Sequence, residues 1–217
     1  MSGAVGDIVF RERFGVNYVG LRPDSFVPGN DPASVARRQR FSLATKTGVT
    51  INSVSPLKSL WQPSTPSGMS PYNYIVKTNY RYVTSSTISD LLKIVPENGF
   101  GVTVADSVID RTRVRLIVEP IGTNAGIDVL QEPNIISACV LFLSAPVDES
   151  VGAYSILSAV SEPIPTDLTQ QLTLDANLTN QQQTIFDKYQ TRKVFAALVT
   201  LDANGIPVHY SSTILLS

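Results

Sequence analysis

The chain has one histidine, one cysteine, one tryptophan and two methionines in 217 residues. Structural zinc sites take four clustered Cys or His ligands and catalytic ones three protein ligands, so a single His and a single Cys argue against both. His209, in VHYSS (208–212), has no orienting partner in the local sequence and reads as a sheet-surface residue. Cys139 lies inside IISACVLFLS and has no second cysteine to pair with, which excludes an intrachain disulfide framework. Charge is sparse as well, at 16% of residues against about 25% in an average soluble domain. No apolar run is longer than ACVLFL (138–143), far short of the roughly 20 residues that cross a bilayer, so no membrane span is expected. The first residues, MSGAVGDIVFRERFG, lack a basic start followed by a long apolar stretch, and no signal peptide is read there. Glycine-rich phosphate cradles and the GxSxG nucleophile elbow are missing, so nucleotide binding and Ser-hydrolase chemistry have no support. The expectation is a non-enzymatic chain with no cofactor and no metal.

What is present begins with the distribution of charge. Residues 1–96 hold 11 Lys and Arg against 5 Asp and Glu, and residues 97–217 hold 6 against 13. The parts carry +6 and -7, together the -1 of the whole chain. Such polarity either steers one copy onto another or holds two parts of one chain together. Arg11, Arg13, Arg22, Arg37, Arg38 and Arg40 supply much of the basic part and are the candidate assembly-interface residues. With Lys46 they also form a basic set of the kind that contacts phosphates. Aromatic residues do not interleave them in a base-stacking order, and the chain is acidic overall, so nucleic acid is the lesser alternative.

Residues 7–22, DIVFRERFGVNYVGLR, read as two short strands around Phe14-Gly15. Ile8 and Phe10 fall on one face, with Val9, Arg11 and Arg13 on the other. A lone hairpin is marginal in water, so this one requires a surface to cover it. After the loop RPDSFVPGN, Asp31 stands at an N-cap position and Pro32 at the first helical position. Phe41, Ala44, Gly48 and Ile51 then draw a buried stripe along a helix that ends near Ser53. The arginines of ARRQR fan around that helix instead of lining one side. Ser55-Pro56 and Ser70-Pro71 start two further helices, with Trp61 expected as a core plug and QPSTPSGMS (62–70) as a loop. The tyrosines at 72, 74, 80 and 82 need partners for their hydroxyls.

From about Phe100 the pattern changes to strands. VTVADSVI, TRVRLIVEPI, IISACVLFLSA, GAYSILSAV, QQLTLDANL, KVFAALVTLD and VHYSSTILL are seven β-favouring stretches separated by turn residues. Their number and spacing predict a β-sandwich, and Asn204-Gly205 predicts a tight hairpin near the end. Their order resembles a fibronectin type III or other immunoglobulin-like sandwich. The fold expected is therefore α+β: a basic β-hairpin and short helices over residues 1–96, then a seven-stranded immunoglobulin-like sandwich over 97–217.

Across the whole chain VGDIVFRERFGVNYVGLRP, ARRQRFSLATK, LKSLW, SPYNYIVKTN and DANGIPVHYSS resemble an uncharacterised family found in Bacteroidetes bacteria and their phages. That resemblance implies the same layout and no functional residues. It favours a virion component; with the hairpin that needs a cover, the opposed charges and the missing catalytic set, the expected role is a self-assembling structural subunit of a virion or an extracellular filament, made in the bacterial cytoplasm, with copies of itself and other virion proteins as partners. A ligand- or receptor-binding role for the sandwich is the remaining alternative.

Overall fold

The computed structural model describes residues 3–13, 15–21 and 28–216. The chain forms two compact units, residues 1–37 and 38–217.

In the first unit the expected hairpin is the larger part of a three-stranded antiparallel sheet, ordered β1 (Gly3–Val5), β2 (Ile8–Arg13), β3 (Val16–Leu21). Both turns place glycine at positive φ, Gly6 at 60° and Gly15 at 75°, a region that residues with a Cβ seldom adopt. The loop RPDSFVPGN lies largely outside the described residues. Helix α1 (Pro32–Ser53) starts as its sequence predicts, with the Asp31 carboxylate accepting the Ser34 N–H at 2.9 Å. The Ser34 hydroxyl, with that backbone bond, holds the Asp31 carboxyl below its ordinary pKa.

The second unit holds α2 (Ser55–Ser64), α3 (Pro71–Asn79), β4 (Val104–Ile109), β5 (Arg113–Val118), β6 (Asn134–Pro146), β7 (Tyr154–Val160), β8 (Ile164–Pro165), β9 (Leu172–Asn177), α4 (Asn180–Phe186), β10 (Tyr189–Leu201), β11 (Pro207–Tyr210) and β12 (Ile214–Leu216). All seven β-favouring stretches contain strands, and the last divides into β11 and β12. One sheet has the order β11-β10-β6-β7, with β12 also on β10 and β8 on β6; the other has the order β4-β5-β9.

Strands β6 and β10 pair from Tyr189 opposite Pro146 to Leu201 opposite Asn134 and form the centre of the unit. Successive strand residues point to opposite faces. Ile136, Ala138, Val140 and Phe142 enter a core with Leu43, Ile51, Leu57, Trp61 and Ile75 of the helices. Ile135, Cys139, Leu141 and Leu143 enter a second core with Val114, Leu116, Leu172 and Leu174 of the smaller sheet. The arrangement is three layers: helices, six-stranded sheet, three-stranded sheet. Covering both faces is the physical reason that ACVLFL is continuously apolar instead of alternating.

Trp61 is 1% exposed and donates its indole N–H to the Ile94 carbonyl at 2.9 Å, a core plug with its polar edge satisfied. The stripe on α1 differs from the one predicted. Leu43, Ala44, Thr47, Gly48 and Ile51 are buried, whereas Phe41 is 57% exposed and borders a groove with Tyr72, Val76 and Tyr80. At 100° per residue the stripe centres about 90° from Phe41, so that residue sits at its margin. Helix α2 runs through Pro63 to Ser64, into the segment read as loop. Helix α4 was missed, although its capping box is in the sequence: the Thr179 hydroxyl accepts the Gln182 N–H and Gln182 returns a bond to the Thr179 N–H.

Burial pushes the Cys139 thiol up to about 11. Two outcomes are expected. The folded chain should leave a thiol reagent unreacted until it unfolds. Because the folded value lies above the unfolded one, the associated stability is full below about pH 9 and is lost as pH rises toward 11. Alkaline unfolding of Cys139→Ala should lack that component.

Candidate assembly surface

Register assigns the described side chains of the N-terminal sheet to its two faces. Directly paired residues share a face, and Val5 pairs with Ile8, Ile8 with Leu21 and Phe10 with Val19. One face is thus Val5, Ile8, Phe10, Val19 and Leu21, with Glu12 and Asn17 at the turn end. These five apolar residues are 71, 41, 37, 65 and 82% exposed. The opposite face carries Val9, Arg11, Val16 and Tyr18. Large exposed apolar patches on soluble proteins mark interaction sites, and both buried cores are drawn from residues 43–216.

The six predicted arginines separate into different environments. Arg11 is exposed on the second face of the sheet; Arg13 ends β2, and the surroundings of its side chain lie outside what is described. Arg22 lies outside the described residues. Arg37 is exposed and donates to the Ser34 hydroxyl at 2.8 Å, while Arg38 is an exposed helical residue. Arg40 turns inward: it donates twice to the Tyr80 carbonyl, at 3.2 and 2.9 Å, and its guanidinium lies 4.4 Å from the Tyr80 ring centroid. Such a clamp ties α1 to the end of α3 and answers a packing requirement. Lys46 likewise lies over the Tyr154 ring, at 4.8 Å.

Ion pairs within the second unit join residues of 1–96 to residues of 97–217. Arg81 reaches Glu97 at 3.9 Å, a basic-part cation on an acidic-part anion, and Lys193 reaches Asp90 at 2.7 Å in the opposite sense. Arg115 grips its cross-strand partner Asp175 through two bonds of 2.7 and 2.8 Å, which lowers the pKa of that carboxyl.

His209 has the orienting partner that its sequence surroundings lack. Its Nδ1 lies 2.9 Å from both oxygens of Glu132, whose side chain is 2% exposed while the His209 side chain is 46% exposed. The ladder between β10 and β11 shifts register around Thr200. There the Thr200 hydroxyl accepts the His209 N–H at 2.9 Å and donates to the Glu132 carboxylate. A third donor, the Asp128 N–H, reaches Glu132 at 3.2 Å. The group locks the 128–133 loop to the last hairpin. No signal around QEPN announces it, because Glu132 meets its partners only through tertiary pairing.

Among the described residues no group of three or more His, Cys, Asp or Glu is placed to hold a metal ion, and no helix is long and apolar enough to cross a membrane. Comparison of the chain with protein-family models, with curated proteins and with solved structures finds no match, so the geometry above carries the functional reading.

Proposed function

We propose that the chain is a non-enzymatic structural subunit that assembles with copies of itself, in a virion or an extracellular filament. The observation that carries this reading is the exposed apolar face of the N-terminal sheet, Val5, Ile8, Phe10, Val19 and Leu21. A three-stranded sheet gains independent stability by covering its apolar face, and a second copy supplies an equivalent surface at matching concentration. The second unit has the rigid, doubly covered centre that suits a building block. We read its two facing sheets as an immunoglobulin-like sandwich with added helices. The motifs that resemble a Bacteroidetes and phage family favour a virion, with other virion proteins as neighbours. The inward turn of Arg40 removes one cation from the basic set and weakens the nucleic-acid alternative.

The test uses light scattering over a concentration series. Val19→Lys with Leu21→Lys, on the apolar face, is expected to reduce the assembled mass to that of a single chain. Tyr18→Lys, next to Val19 but on the opposite face, should leave it unchanged. All three residues are exposed, so the variants keep their fold. A wild-type chain that stays single at every concentration would sink the reading.

A further inference from the structure

The outer edge of β3 is defined residue by residue. A two-residue loop joins β2 to β3 between Arg13 and Val16, and the pair closing such a loop exchanges both backbone hydrogen bonds. Alternation along the ladder then turns the N–H and C=O groups of Tyr18 and Gly20 toward β2. Those of Asn17, Val19 and Leu21 point away from it. This edge is six residues long, VNYVGL, with no proline, no charged side chain and no register shift. Natural sheets blunt their edges with such devices or with short strands and coverings. Other edges of this chain have them: β4 carries a bulge between Val104 and Asp106, Gln182 donates to the Ser158 carbonyl of β7 at 2.7 Å, and β1 has only three residues.

We propose that β3 pairs antiparallel with β3 of a second copy about a two-fold axis at Val19, joining the two N-terminal sheets edge to edge. This rests on the self-assembly reading and specifies its geometry. Size argues for it. Six residues at about 3.4 Å and three strands at about 4.8 Å give a face of roughly 300 Å², whereas a stable interface buries about 800 Å² per partner. Face-on-face contact alone is too small. Edge pairing adds backbone hydrogen bonds and sets the apolar faces of both copies side by side as one larger surface. Charge argues for it too. A residue on a two-fold axis meets itself, so a charge there repels its like. β3 has none, while β2 carries Arg11, Glu12 and Arg13. With the axis at Val19, Asn17 stands opposite Leu21 and every outward-facing residue is paired.

Disulfide trapping in the full-length chain tests the register. The native Cys139 is 0% exposed, so an introduced cysteine is the accessible thiol. Across the proposed axis the two residues 19 lie about 5.5 Å apart at Cα, within the roughly 4.4–6.8 Å that a disulfide spans. The two residues 17, offset by four positions, lie roughly 14 Å apart. Val19→Cys is expected to convert to a covalent dimer under copper-phenanthroline and air, which accept the two electrons of the thiol pair. Asn17→Cys and Leu21→Cys alone should stay uncrosslinked, and their co-expressed mixture should crosslink. If Val19→Cys stays reduced while light scattering finds assemblies, the edge pairing is wrong and self-assembly stands. Crosslinking of Asn17→Cys or Leu21→Cys alone would overturn the antiparallel register. A chain that never assembles overturns both readings.

Discussion

Replacing Glu132 by alanine is expected to destabilise the second unit by about 1.5–3 kcal/mol, the usual worth of a hydrogen bond to a charged group. The carboxylate is almost wholly buried and takes bonds from Thr200, His209 and the Asp128 N–H. Its loss leaves the Thr200 hydroxyl, which is 0% exposed, with only the longer bond to the His209 carbonyl, 3.2 Å, at the bulge that sets the register of the last hairpin. His209→Ala should cost less, because two other donors remain on Glu132 and removing the half-exposed ring lets water reach the carboxylate. Glu132→Gln should fall between them, since an amide oxygen still accepts from Thr200. Denaturant midpoints of the three variants check the order, and equal midpoints would refute the lock.

Gly99→Ala is expected to cost at least the upper end of the roughly 1–3 kcal/mol typical of overpacking. The reason is contact with backbone, not conformation. A Cβ on Gly99 would stand 2.5 Å from the Ser212 nitrogen and 2.6 Å from the Ser211 oxygen. Neither atom has a rotamer by which to yield. The same stretch is stitched by bonds from the Phe100 N–H to the Tyr210 carbonyl and from the Ser212 N–H to the Phe100 carbonyl, both 2.9 Å. Ser212 also donates its hydroxyl to the Gly99 carbonyl at 3.1 Å. Displacing Gly99 loosens all of these together. Gly101→Ala, two residues on, meets nothing within 4 Å and should be nearly neutral. Thermal unfolding of the pair, with hydrogen exchange at Phe100 and Ser212, distinguishes a local clash from a general intolerance of alanine.

Local and periodic features were legible in the sequence because their physics acts over a few residues. The Asp31-Pro32 and Ser70-Pro71 helix starts, the turn at Gly15, the two faces of β2 and the role of Trp61 follow from capping, glycine conformation, alternation and side-chain size. The same logic could have found β1 and α4, whose glycine turn and capping box are equally local. The sequence also determined the segregation of Ile8 and Phe10 from Arg11, which is the basis of the proposed assembly face. Tertiary structure alone decided what required distant partners. It turned Arg40 onto Tyr80, spent Lys193 on Asp90, brought Glu132 to His209 and placed ACVLFL between two cores. Those pairings join residues 40 to 103 positions apart, or whole layers, and no short-range rule ranks one distant partner above another. Sheet order and side-chain direction, which exist only once the strands have paired, made the choice.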